Sequence, residues 1–107
     1  MNPASSRRTF LAAGLALPAQ AAAPAAAPKL EFRKLGKTGL EVTSLGFGCM
    51  LASDAIVLER AADIGINYFD TARIYQGGNN ERMVGAALKG KRHQVVLSSK
   101  TMATSKE

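Results

Sequence analysis

Three short apolar runs alternate along this chain with two stretches whose apolar residues recur at helical spacing. The first run, Val42 to Phe47, closes on Gly46-Phe47-Gly48 and reads as a buried strand. Ser53 can cap a helix from Asp54 to Ile64, which places Val57, Leu58, Ala61 and Ala62 on one face and Gly65 at its stop. Ile66-Asn67-Tyr68-Phe69 is a second strand and ends at Asp70. A polar loop containing Gly77-Gly78 runs to Asn80. A second helix, Glu81 to Lys89, then carries Met83, Val84, Ala87 and Leu88 on one face and stops at Gly90. Gln94 to Lys100, built around Val95-Val96-Leu97, is the third strand. Ahead of this series, Phe32-Arg33-Lys34-Leu35 and Leu40-Glu41-Val42 flank the turn Gly36-Lys37-Thr38-Gly39, which predicts a hairpin.

Strands that alternate with helices imply right-handed crossovers and a parallel sheet. The strand starts near Val42, Ile66 and Gln94 lie 24 and 28 residues apart. Eight units at that spacing make ~210 residues, the size of a (β/α)8 TIM barrel. The expected fold is therefore α/β: an N-terminal hairpin and the first three β strands, with two βα units, of such a barrel. It is expected to be truncated, because the sequence reaches Glu107 before a helix can follow the third strand.

The first 28 residues differ from the rest. They hold all four prolines and, among charged residues, only Arg7 and Arg8. The paired arginines, the apolar run from Phe10 to Leu17 and the small-residue exit Ala19-Gln20-Ala21 are the three parts of a secretory signal, in order. Arg7-Arg8 before Phe10-Leu11 resembles the twin-arginine type, which addresses folded cargo to a translocase. The plainer alternative is a disordered alanine-rich tail in which two arginines adjoin. The expected organisation is a signal peptide over 1–21, an Ala/Pro-rich linker over 22–29 and a barrel segment over 30–107. The expected location is exported and periplasmic, with the twin-arginine translocase as a partner during export.

Composition narrows the function. The net charge of +6 includes the two leader arginines, and the remaining surplus is interspersed, which argues against nucleic acid as a partner. One cysteine excludes an intramolecular disulfide, and one histidine excludes a His-rich metal site. No apolar run approaches the ~20 residues that span a bilayer, so stable membrane insertion is not expected.

Several motifs fall short. Gly36-Lys37-Thr38 imitates the end of a phosphate-binding loop, but the upstream glycine it needs falls at Glu31. Gly46-Phe47-Gly48 opens like a dinucleotide fingerprint, with Asp70 lying 22 residues beyond Gly48, yet Leu51 stands where the third glycine belongs. Cys49 reads as a small packing residue. His93, in the run Lys89-Gly90-Lys91-Arg92-His93, lies at the start of the third strand, the wrong end for barrel chemistry. The run itself reads as a solvated loop.

Three polar residues do stand where a barrel keeps its chemistry, at the carboxyl ends of strands and in the loops after them. Asp70 ends the second strand, Tyr75 lies in the following loop, and Lys100 ends the third strand after Ser98-Ser99. Taken singly, each has an ordinary role: a turn-starting Asp, a Tyr on the core rim, a Lys reaching outward. Taken together they suit acid catalysis. A free phenol with a pKa of about 10 is a poor donor near neutrality. An adjacent ammonium favours the phenolate, and a carboxylate beside the lysine keeps the ammonium charged and oriented. Such a trio would face a substrate oxygen that takes a proton as hydride arrives at carbon.

At these residues the chain resembles the aldo/keto reductase family. The matching segments are Phe32-Arg33-Lys34-Leu35-Gly36, Thr38-Gly39-Leu40-Glu41-Val42, Leu45-Gly46-Phe47-Gly48-Cys49-Met50, the run from Gly65 to Tyr75, Asn80-Glu81 with Gly85-Ala86-Ala87-Leu88, and Val96-Leu97-Ser98-Ser99-Lys100-Thr101. The resemblance implies an oxidoreductase that reduces aldehydes or ketones with NADPH, NADH being the alternative, and takes small-molecule carbonyl substrates. It implies a tetrad of Asp, Tyr, Lys and His, of which Asp70, Tyr75 and Lys100 fill the first three places and Tyr75 is the proton donor. Contacts near the nicotinamide ribose would fall on Gly48, Cys49, Met50 and Asp70, and no metal is implied. The family's histidine lies beyond the third strand and His93 does not replace it. The segments that grip the adenine and 2′-phosphate belong near the last strands of the barrel. The 107-residue chain alone is therefore expected to be inactive and at best partly folded. The competing readings are a non-catalytic truncated product or binding module that keeps the start of the barrel, and a lyase that uses Lys100 as a Schiff base.

Overall fold

A computed structural model describes residues 22–26 and 29–106. The signal peptide expected over 1–21 lies outside the described residues, and residues 22–26 of the linker form no regular element. The elements in chain order are β1 (Phe32–Lys34), β2 (Glu41–Thr43), β3 (Phe47–Gly48), α1 (Ala55–Asp63), β4 (Tyr68–Asp70), α2 (Asn79–Ala87) and β5 (Val96–Ser98). A tight turn, Tyr75–Gly78, precedes α2, and a 3-10 stretch, Lys89–Gln94, follows it.

β1 and β2 form an antiparallel hairpin in which Arg33 faces Val42. The Thr38 hydroxyl donates to the Leu35 carbonyl at 2.6 Å and accepts from the Leu40 amide at 3.2 Å, closing the turn. The expected strand from Val42 to Phe47 is instead two elements. Val42 belongs to the hairpin, and the chain bends at Ser44-Leu45, where the Leu45 carbonyl accepts from the Thr43 hydroxyl at 2.8 Å. Asn67 holds this bend from the other side. Its Oδ1 accepts from the Thr43 amide at 2.7 Å, and its Nδ2 donates to the Glu41 carbonyl at 2.9 Å. Backbone groups that would have extended the strand are thereby satisfied by a side chain, and β3 is left with Phe47 and Gly48 alone.

The three-stranded sheet is parallel throughout, in the order β3-β4-β5. Its register sets Phe47 beside Phe69 and Phe69 beside Leu97, and the next row sets Gly48 beside Asp70 and Asp70 beside Ser98. Side chains alternate faces along a strand, so these two rows point to opposite sides of the sheet. The aromatic row packs under the helices in a core of Cys49, Leu58, Ala61, Ile66, Phe69, Val84, Leu88 and Val95. Phe47 and Phe69 meet with ring centroids 5.8 Å apart. The polar row is left on the other face, at the carboxyl ends of the strands.

The helices differ from expectation at their ends. Asp54, rather than Ser53, caps α1, its Oδ1 accepting from the Ile56 amide at 2.9 Å. Leu58 and Ala61 are buried while Val57 is half exposed, so the stripe that meets the sheet is narrower than the pattern of apolar residues. Gly65, at φ +103°, turns the chain from α1 toward β4 in a conformation that favours glycine. α2 begins at Asn79, two residues before Glu81, because the left-handed Gly78 already ends the turn. It finishes at Ala87, before Gly90, and the basic run continues as the 3-10 stretch with Lys91 ion-paired to Asp63. β5 covers only the middle of the expected Gln94–Lys100 strand, which leaves Lys100 two residues past its end.

Candidate active site

Main-chain bonds carry the ladder beyond the formal strands and so build the site. The Thr71 amide donates to the Ser98 carbonyl at 2.9 Å, and the Arg73 amide donates to the Lys100 carbonyl at 3.0 Å. The residues after β4 and β5 are thereby held side by side. A turn closed by the Tyr75 amide on the Ala72 carbonyl at 3.1 Å then folds the tyrosine back toward them.

The three residues singled out in the sequence meet here. Lys100 Nζ donates to Asp70 Oδ2 at 2.7 Å and to the Thr71 carbonyl at 2.8 Å, and it lies 4.8 Å from the centroid of the Tyr75 ring. That last distance is within cation-π range. The Ser98 hydroxyl donates to Asp70 Oδ1 at 2.9 Å, so both carboxylate oxygens are occupied. The Lys100 hydrogen bond, helped by Ser98, holds the Asp70 carboxyl below its ordinary range against the opposing effect of burial. Asp70, and after it Tyr75, raises Lys100 above the ordinary lysine value, so the ammonium stays charged. The pair is open to water, with about half of the Lys100 side chain exposed. Beside it a cleft of about 350 Å3 is lined by Arg73, Glu81, Ser99, Lys100 and Thr101.

The residues expected near a nicotinamide are arranged unequally. Gly48 is exposed, stands in the same row as Asp70, and a Cβ added to it would meet nothing within 4 Å. Met50 is half exposed. Cys49 is fully buried, and burial, followed by the Asp70 charge, pushes its thiol upward in pKa. Its side chain therefore faces the core and only its peptide borders the site. Bare backbone at Gly48 next to a carboxylate fits the edge of a flat, hydrogen-bonding ring. His93 is exposed on the 3-10 stretch before β5, at the opposite end of the strand from Lys100. Among the described residues there is no group of three His, Cys, Asp or Glu that could hold a metal, and no helix is long and apolar enough to cross a membrane.

Asn80, quoted above only as part of the resemblance, is not among the site residues expected from the sequence. It is fully buried, accepts from the Thr71 hydroxyl at 2.6 Å and donates to the Cys49 carbonyl at 2.7 Å, tying the loop after β3 to the end of β4. A polar residue at a helix start reads in sequence as a cap, so nothing in its spacing marks it as a strut. Ser98 could have been found, because the parallel register that places Asp70 on the polar face places Ser98 beside it.

A parallel βαβαβ sheet with its polar cluster at the carboxyl ends of the strands belongs to the α/β proteins that keep their chemistry on that rim. Within that class the Aldo/keto reductase family model matches residues 49–107, more than half of the sequence, and the chain belongs to this family. It is 41% identical over 73 residues to the uncharacterized oxidoreductase YqkF of Bacillus subtilis, covering 64% of this chain and 24% of that protein. Over 80 residues it is 40% identical to pyridoxal 4-dehydrogenase of Microbacterium luteolum, covering 65% of this chain and 23% of the relative. Among solved structures, the holo form of the aldo-keto reductase AKR11C1 from Bacillus halodurans is 42% identical with a TM-score of 0.63, over 68% of this chain and 26% of that one. The chain thus spans about a quarter of the length of these relatives.

Proposed function

We propose that this chain carries the proton-donor side of an NAD(P)H-dependent reductase acting on aldehydes or ketones, with NADPH preferred over NADH. The observation that carries the reading is the single ammonium of Lys100, placed 2.7 Å from Asp70 Oδ2 and 4.8 Å from the Tyr75 ring centroid. A reduced nicotinamide, when bound, supplies the hydride that the carbonyl carbon accepts. Tyr75 gives its phenolic proton to the carbonyl oxygen, and the Lys100 ammonium stabilises the phenolate left behind. Asp70 holds that ammonium charged and fixed in direction. Gly48, Met50, Asp70 and the peptide of Cys49 would border the nicotinamide and its ribose. The open backbone at Gly48 and membership of the family support this assignment.

The proposal extends to location. Arg7-Arg8 and the apolar run to Leu17 address the protein through the twin-arginine translocase to the periplasm, with nucleotide loaded before export. Periplasmic protein recovered without nucleotide would refute the loading step.

The test is carbonyl-dependent consumption of NADPH or NADH by the protein expressed from its whole reading frame. Tyr75→Phe should remove at least about 100-fold of turnover, the usual worth of a positioned acid, while nucleotide still binds. Unchanged turnover in Tyr75→Phe would refute the assignment. The 107-residue chain by itself should turn over no carbonyl. A second reading, a non-catalytic binding module or truncated product, draws on the quarter-length match to the relatives. It requires that no variant, wild type included, consume nucleotide.

A further inference from the structure

The turn that follows Tyr75 has an unusual backbone. Gln76, Gly77 and Gly78 all have positive φ, at +52°, +64° and +92°, and Gln76 is the one non-glycine residue among those described to do so. Glycine enters this region freely, whereas a residue with a Cβ is strained there and persists only where its surroundings over-determine it. What holds Gln76 is visible. Its side-chain amide reaches across to the loop after β3 and donates to the Ala52 carbonyl at 2.9 Å and to the Met50 carbonyl at 3.3 Å. Asn80 reaches the same loop from below, donating to the Cys49 carbonyl at 2.7 Å. Two side-chain amides, one from the turn and one from the first turn of α2, therefore grip the Cys49, Met50 and Ala52 carbonyls of the segment that borders Gly48.

We propose that Gln76 is a positioning residue for Tyr75: its amide locks the left-handed turn against residues 50–52 and thereby sets the phenol over Lys100. The proposal rests on the reading of Tyr75 as proton donor. It adds that the donor's position is set from the loop beside the nicotinamide side of the site, so the two halves of the site move together. A glycine at this position would relax the backbone and lose the grip. The side chain is what makes the strained conformation useful.

The test uses the full chain. It contains no tryptophan and two tyrosines, so in a Tyr68→Phe background the emission reports Tyr75 alone. Lys100→Met, made in that background, sets the scale by showing how far emission and acrylamide quenching move when the ammonium is removed. Gln76→Asn keeps an amide and tolerates a left-handed backbone, but it is one methylene too short to reach both carbonyls. Gln76→Glu keeps the length and turns the donor into an acceptor facing carbonyl oxygens. Each variant that retains the parent far-UV circular dichroism should show most of the Lys100→Met change. A folded Gln76→Asn or Gln76→Glu whose Tyr75 signal stays at the parent value overturns the positioning role and leaves the proton-donor reading standing. If Lys100→Met itself leaves Tyr75 unmoved, the Lys100–Tyr75 contact is absent, and both readings fall.

Discussion

Removing the Asn80 side chain should loosen the site selectively. Its amide satisfies the Cys49 carbonyl at 2.7 Å and the Thr71 hydroxyl at 2.6 Å, in a place where Asn80 itself is fully buried. Asn80→Ala leaves the Thr71 hydroxyl without its partner, at about 1–3 kcal/mol for a buried group, and takes from the Cys49 carbonyl one of its two donors, the Ala52 amide at 3.0 Å remaining. The Thr71 hydroxyl can rotate to recover part of its loss, so a total of about 1–2 kcal/mol is expected. At ~1.4 kcal/mol per decade this becomes a fall of about 5- to 30-fold in hydrogen-exchange protection. The loss should be concentrated at the Cys49 amide, which donates to the Asp70 carbonyl, and at the Thr71 amide, which donates to that of Ser98. The hairpin amides Leu35 and Ser44 lie away from the strut and should keep their protection. Replacing Asn80 by Leu together with Thr71 by Val removes the hydroxyl as well as the amide. This pair should cost less than Asn80→Ala, because no hydroxyl is then left unpartnered and the Cys49 carbonyl keeps its bond from the Ala52 amide. Protection unchanged at Cys49 and Thr71, or lost evenly over the chain, would refute the strut.

The ion pair predicts opposite behaviour at the two ends of the pH scale. The carboxyl of Asp70 is held low, so its share of stability is present above the ordinary carboxylate value and is lost as pH falls through the folded value. Lys100 is held high, so its share is present below the ordinary lysine value and is lost as pH rises through the folded one. In Lys100→Met the Asp70 carboxyl should titrate at higher pH, read from its 13C shift, and the acid limb of stability should flatten. Gly46→Ala should cost about 1–3 kcal/mol in urea unfolding, because its Cβ would lie 2.9 Å from Cδ1 of Tyr68. Gly48→Ala meets no atom within 4 Å and should stay within about 0.5 kcal/mol of the parent. Equal costs at the two glycines would contradict the packing described.

Much of the framework is readable in the sequence because it rests on periodicity. The row Phe47, Phe69 and Leu97 and the buried residues Leu58, Val84 and Leu88 follow from apolar spacing, and the juxtaposition of Asp70 with Lys100 follows from a parallel sheet having all its carboxyl ends on one rim. What spacing does not carry is competition for backbone hydrogen bonds. The sequence from Val42 to Phe47 looks like one strand, and only the long-range bonds from Asn67 show why it bends. Ser53 and Asp54 are both good caps, and the choice between them depends on where the first helical turn lands. Asn80 and Gln76 act across 24 to 31 positions of sequence, through contacts that no local pattern encodes.

The main-chain bonds that extend the ladder past β4 and β5 tie Thr71 to Ser98 and Arg73 to Lys100 without using any side chain. Mutational drift can therefore recolour the rim around these four positions, changing its shape and polarity for new compounds, while the spacing of ammonium and carboxylate is inherited intact. An inserted or deleted residue between positions 70 and 75, or between 98 and 100, is different in kind, since it shifts the scaffold itself and no neighbouring substitution can restore the lost alignment.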